Sequence, residues 1–148
     1  DAAVALRATL ELLDDEFRMR KVTVARSDLD SAAPVALHPE SLKQVFLNLI
    51  LNALEAMPEG GRLDLARAER SGTFEFTIRD TGAGVAPEIA GKLGDPFFTT
   101  KAQGSGLGLF LTRRLVQSSG GDLEIRGEHG PGTTCVVRFP GRRERAAT

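Results

Sequence analysis

Leu6, Leu10, Leu13 and Phe17 recur at three- and four-residue intervals, which predicts an amphipathic helix from Asp1 to Arg20. Val22, Val24 and Leu29 then form a strand-like run, and after Pro34 a shorter one covers Val35 to Leu37. Pro39 suits a first helical turn, and a helix is expected from there to Met57, stopping before Gly60-Gly61. Leu63 and Leu65 suggest a strand, Ser71-Gly72 a hairpin turn, and Phe74, Phe76 and Ile78 a second, cleanly alternating strand. Asp80 follows on the same parity, at that strand's end. From Thr81 to about Gly106 periodicity is weak and glycine frequent, apart from a short helical stretch around Glu88 to Leu93. So long a loop inside a domain is usually functional. Leu107, Leu111, Leu115 and Val116 mark another helix, Gly120-Gly121 ends it, and closing strands cover Leu123–Ile125 and Thr134–Phe139. This order implies an α+β layering, with a mixed, mostly antiparallel sheet of about five strands packed on about three helices, rather than an alternating parallel fold.

Composition narrows the partners more than the fold. A chain of 148 residues with 41% hydrophobic side chains can bury one ordinary core, so a single domain is expected. A net charge of −1 gives no bulk attraction to nucleic acid or to an anionic membrane, so any anion must be held by local geometry. The one cysteine, Cys135, cannot form an internal disulfide, which favours a reducing, cytoplasmic setting. No apolar run approaches the roughly 18–20 residues of a membrane span, and no signal-peptide pattern opens the chain. The first residue is Asp rather than Met, as expected of a piece of something longer.

Three runs carry candidate chemistry. On the Pro39 to Met57 helix, apolar residues wrap most of the circumference, yet Gln44, Asn48, Asn52 and Glu55 line up as a polar stripe. A buried amide left without partners costs about 1–3 kcal/mol, so the stripe faces either solvent or something that satisfies it. Asp80 precedes Gly82 and Gly84, which permit positive φ and let a ligand lie against main chain; the same pattern also makes a plain turn. A carboxylate there is a natural acceptor for an exocyclic amine such as that of adenine. Gly104-Ser105-Gly106-Leu107-Gly108 opens a helix, where N–H groups and the helix dipole can converge on phosphates, although a flexible hinge has the same composition. Its spacing fits neither the dinucleotide fingerprint nor the Walker loop. Just upstream, Asp95 to Lys101 offers two phenylalanines, two threonine hydroxyls and a cation.

Taken together, these runs resemble the GHKL superfamily of sensor histidine kinases, gyrase B subunits, Hsp90 chaperones and MutL. Gln44 to Ala53 resembles its N box, Asp80 to Gly84 its first glycine box, Asp95 to Lys101 its F box, and Gly104 to Gly108 its second glycine box. Gly130 to Thr134 is similar to the closing glycine-threonine element. The nearest likeness is the catalytic ATP-binding domain of a nitrogen-sensor-type histidine kinase. The resemblance implies the Bergerat two-layer α/β sandwich over residues 1–140, a frayed basic tail over 141–148, and ATP and Mg²⁺ as cofactors. It also implies roles. Asn52 would coordinate Mg²⁺, and Asn48 would help hold the metal's water or the phosphates. Asp80 would take the adenine amine, assisted by Thr133 through water, with Gly82 and Gly84 letting the base lie close. Lys101 would contact the γ-phosphate, and the main chain around Gly104, Gly106, Leu107 and Gly108 would hold the phosphate tail. The loop from Ala86 to Gly104 would be the ATP lid. Asn48, Asn52 and Lys101 are thus the expected catalytic set.

Two departures from the family bear on the reaction. Where ATP-hydrolysing relatives carry a glutamate base four residues before the metal asparagine, this chain has Asn48, which cannot take a proton; transfer to an external acceptor fits better than hydrolysis. Three residues after the metal asparagine stands Glu55 where many kinases have lysine, so more of the phosphate contact should fall on Lys101. Neither His38 nor His129 is followed by the acidic residue of a phosphoacceptor, so both are expected to be structural or solvated. The expected function is transfer of the γ-phosphate to a histidine on a separate dimerisation domain of the same kinase. A response-regulator receiver domain would be served indirectly, with no nucleic acid and no direct membrane insertion; the full-length kinase is compatible with membrane anchoring. The alternatives are a nucleotide-gated binding module that displays a surface around Phe97 and Phe98, and a GHKL ATPase.

Overall fold

The computed structural model describes residues 1–84, 88, 92, 107–127 and 132–142. Its elements run α1 (Ala2–Leu12), α2 (Asp14–Met19), β1 (Val22–Ser27), α3 (Pro39–Glu55), β2 (Gly61–Arg70), β3 (Thr73–Asp80), α4 (Leu107–Ser118), β4 (Asp122–Gly127) and β5 (Thr133–Pro140). The five strands form one sheet in the order β1-β2-β3-β5-β4. The β1–β2 pair is parallel, joined through α3, and the remaining pairs are antiparallel. The expected α+β fold with a mixed, mostly antiparallel sheet is therefore present.

One face of the sheet carries the helices and the other faces solvent. Alternation on β3 and β5 turns Phe76 and Phe139 inward, where both meet Phe46 of α3 edge-on with centroids 5.3 and 6.3 Å away. All three rings are fully buried, and such edge-to-face contacts add to the burial itself. α1 covers α3 through Leu6 and Leu10, which sit in the same core as Leu42 and Leu49. On the opposite sheet face, Arg138 of β5 bonds Glu75 and Asp122 on the flanking strands, each at 3.0 Å.

Several boundaries differ from expectation. The first helix is interrupted at Leu13 (φ −94°, ψ 6°), and a second begins at Asp14. Asp14, Asp15 and Glu16 occupy that new first turn, where negative charge is favoured by the helix dipole. α3 ends at Glu55 rather than Met57 because Pro58 disfavours helical geometry in the residue before it. Met57 leaves the helix yet stays buried. Val35 makes a single bridge to Gly141 instead of a strand. β2 runs well past Leu65, because Arg67 takes the next inward place, over the Phe74 ring and bonded to Asp28 and to the Ala32 carbonyl. The Ser71-Gly72 turn stands as expected, both residues at positive φ. His38 caps α3, its Nδ1 accepting from the Glu40 N–H at 3.2 Å, which is the structural role expected of it.

Candidate functional site

Three stretches remote in sequence meet where α3 ends: the last turn of α3, the end of β3 and the start of β5. Pairing of Asp80 with Thr133 brings the last two together. Asp80 is only 6% exposed. Its Oδ1 accepts the Gly82 N–H at 2.9 Å, and the Thr133 N–H also donates to its carboxylate. Burial raises the Asp80 carboxyl above its ordinary value, and these two amides pull it the other way. Asp80 is thus an oriented, poorly hydrated acceptor at a strand end.

The glycines around it do different work. A Cβ on Gly82 would run into the Ala56 carbonyl oxygen at the C-cap of α3, and the neighbouring Ala83 N–H donates to that same oxygen at 3.2 Å. Gly82 therefore serves close approach of backbone to backbone, and the positive φ falls at Gly84 (+79°). Gly132 donates to the Gly82 carbonyl at 2.8 Å, locking the β5 start against the β3 end. Beneath them, Cys135 pairs with Ile78 on the helix-facing side of the sheet. Its thiol is pushed up to about 12, first by burial and then by the Asp80 charge, so it is an inert neighbour rather than a nucleophile.

The polar stripe of α3 is graded. Gln44 and Glu55 are exposed, whereas Asn48 and Asn52 are half-buried. Gln44 Nε2 donates to Asn48 Oδ1 at 2.9 Å, and Asn48 Nδ2 donates to Thr112 Oγ1 on α4 at 3.1 Å. The stripe is therefore neither wholly solvated nor orphaned: Asn48 is tied to the helix that follows the second glycine run. Leu107 opens that helix and Gly108 lies one residue in. A Cβ on Gly108 would meet nothing within 4 Å, so its own packing does not require glycine and the space beside it is open.

Asn48, Asn52, Asp80, Gly82, Gly84, Leu107, Gly108 and Thr133 are thus placed by the structure, whereas Lys101, Gly104 and Gly106 lie outside the described residues. So do most of the expected lid, Asp95 to Lys101 with Phe97 and Phe98, His129, and 143–148. Sequence reasoning passed over Thr112, a fully buried hydroxyl. Its signal was a threonine one turn after Gly108, on the inward side of an apolar helix.

Among the described residues no group of three or more His, Cys, Asp or Glu side chains could hold a metal ion. The available donors are amide oxygens, which suit a hard cation bound mainly by phosphates and water.

The family described as histidine kinase-, DNA gyrase B- and HSP90-like ATPases matches residues 37–143. Sporulation kinase A of Bacillus subtilis (strain 168) is 38% identical over 129 residues, covering 87% of this chain and 21% of that protein. The chain thus spans about a fifth of that relative's length. The nucleotide-free catalytic domain of histidine kinase ThkA superposes with a TM-score of 0.81 at 26% identity, covering 93% of this chain and 90% of that one. Full-length ShkA in complex with AMPPNP gives 0.82 at 28% identity, over 99% of this chain and 31% of that one.

Proposed function

The chain belongs to the histidine kinase-, DNA gyrase B- and HSP90-like ATPase family, and from that premise we propose that it binds Mg-ATP and donates the γ-phosphate to a histidine on a separate dimerisation domain of a two-component kinase. The observation that carries this reading is Asp80: a buried carboxylate at the end of β3, fixed by the Gly82 and Thr133 amides. Such a group recognises a donor on a flat ligand, and the adenine amine is that donor. Gly84, at positive φ and only half-buried, leaves main chain accessible beside it, and Gly132 allows β5 to pack against the Asp80 main chain.

On this reading the α3 amides face the phosphates. Asn52 supplies an oxygen ligand to Mg²⁺, which when bound would neutralise phosphate charge during transfer. The open space at Gly108 and the N-terminus of α4 suit the phosphate tail, since N–H groups and helix dipole there favour an anion. Lys101, Gly104 and Gly106 are proposed to complete that contact. Asn48 stands where a hydrolase would hold a base, and its amide is engaged with Thr112 and Gln44. It cannot activate water by deprotonation, which supports transfer over hydrolysis. We assign residues 1–140 to the catalytic unit and 141–148 to a tail. A response-regulator receiver domain would take the phosphate in a later step.

Calorimetric titration of ATP, with and without Mg²⁺, into the chain and into Asp80→Asn tests the pocket. Saturable binding that Mg²⁺ strengthens and the substitution weakens by about ten- to a hundredfold is expected, the scale of one hydrogen bond to a buried charge. Equal affinity for ATP and GTP, or no effect of the substitution, would refute the assignment of Asp80 to the base.

A further inference from the structure

Among the described residues, the buried polar or charged side chains are Thr9, Arg67, Asp80 and Thr112. Thr9 returns its hydroxyl to the Ala5 carbonyl within its own helix. Arg67 fastens the segment after β1, and Asp80 belongs to the pocket. Thr112 alone among these hydroxyls joins two elements. Its Oγ1 donates to the Gly108 carbonyl at 2.8 Å and accepts from Asn48 Nδ2 at 3.1 Å.

With the Thr112 hydroxyl bonded to Gly108, the orientation of Asn48 follows. A carbonyl can only accept, so the single hydroxyl hydrogen of Thr112 goes to Gly108. The lone pairs that remain toward α3 can only accept in turn, and Asn48 must present its NH₂ end there. Its oxygen is thereby left on the other side, where Gln44 Nε2 reaches it at 2.9 Å. A carboxamide oxygen has two lone pairs, so one acceptor position is still available to a further donor. Reversal would draw the Thr112 hydrogen from the Gly108 carbonyl to the Asn48 oxygen, breaking the bond within α4.

We propose that Thr112 is a positioning residue that keeps the Asn48 NH₂ on α4 and its oxygen turned away from α4, so that Asn48 accepts from a metal-bound water instead of donating to phosphate. This rests on the Mg-ATP reading above and specifies which of two opposite tasks Asn48 performs. An amide oxygen repels phosphate oxygens and welcomes the polarised hydrogens of water on Mg²⁺; an amide NH₂ does the reverse. The same hydroxyl couples the first turn of α4 to α3, so the phosphate-binding end of α4 and the metal-facing amides are held in one register.

The test compares wild type, Thr112→Val and Thr112→Ser. Valine has the same shape without hydrogen bonding, and serine keeps the hydroxyl. ATP is titrated in Mg²⁺ and in EDTA, and the Asn48 side-chain NH₂ resonances are followed by NMR in ligand-free protein. In Thr112→Val the strengthening of ATP binding by Mg²⁺ is expected to shrink by about five- to tenfold, the scale of one hydrogen bond to a polarised group. Binding in EDTA is expected to be unchanged, the Asn48 resonances to shift and exchange faster with water, and serine to restore both. A valine variant that keeps the full Mg²⁺ effect, or loses affinity equally in Mg²⁺ and EDTA, overturns the proposal and leaves Thr112 as packing. Wild-type chain that binds ATP under neither condition overturns the nucleotide reading itself, and the Asn48 resonances, which need no ligand, register that failure separately.

Discussion

Because burial outweighs the Gly82 and Thr133 amides, the Asp80 carboxyl titrates above its ordinary 3.8 in the folded chain, and its ionised form is a burden on the fold at neutral pH. The sign follows from linkage. A raised folded value means that the stability attached to Asp80 is fully present below 3.8 and is lost as pH rises through the folded value. Relative to Asp80→Asn, which cannot ionise there and can still accept from Gly82, the wild type should therefore be at its best near pH 4 and lose ground toward pH 7. Urea titrations of both proteins across that range check this, and a constant difference would mean that the carboxyl is not perturbed. The glycines separate fold from site in the same way. Gly82→Ala drives a Cβ into the Ala56 carbonyl, and should lower stability by about 1–3 kcal/mol, as overpacking does. Gly108→Ala meets open space within a helix, and should raise stability by about 0.5–1 kcal/mol while weakening ATP binding. Thermal melts paired with ATP titrations distinguish the two.

At the level of elements, the inward periodicity of each strand and helix was legible, and what failed were the places where a chain must stop or turn. Leu6, Leu10, Leu13 and Phe17 do all face the core, but a repeat of apolar positions is silent about a break that keeps its last two members buried. The acidic run Asp14-Asp15-Glu16 was the available sign of a new helix start, and Pro58 was the sign that α3 ends early. Arg67 was hidden because a charged residue at an inward position reads as the end of a strand, whereas here a carboxylate, a carbonyl and a ring compensate it. In the candidate site, the place of Asp80 at the inward end of β3 was legible from the strand's alternation. The contact between Asn48 and Thr112 was not legible, because it joins residues from two different helices. α3 is the element on which both layers depend: Phe46 meets rings from β3 and β5. Phe46→Ala should cost about 3–5 kcal/mol by leaving a cavity between the layers. A shift in the urea midpoint without a change in slope would identify it as a loss of packing alone.

For the molecule as a whole, the proposed transfer requires an acceptor other than His38. His38, the histidine among the described residues, caps α3, whereas the proposed metal- and phosphate-facing amides Asn48 and Asn52 lie 10 and 14 residues further along the same helix. At 1.5 Å per residue that is about 15–21 Å of rigid helix, far beyond the reach of an in-line transfer at about 3 Å. His38 is also committed through Nδ1 to the Glu40 amide. The isolated chain should therefore bind ATP without labelling itself. In the presence of γ-labelled ATP and Mg²⁺ it is expected to incorporate no acid-labile, base-stable phosphate, and His38→Ala should leave ATP affinity unchanged. Binding should nevertheless be visible in the fold. A ligand held only by the native state stabilises it by about 2.7 kcal/mol at a hundredfold excess over Kd, and Asp80→Asn, binding about ten- to a hundredfold more weakly, should lose about 1.3–2.3 kcal/mol of that gain at the same ATP concentration. Adding a histidine-bearing dimerisation domain in trans should then move label onto that domain. Label appearing instead on the isolated chain would place an acceptor within reach of its own pocket and contradict the division of labour proposed here.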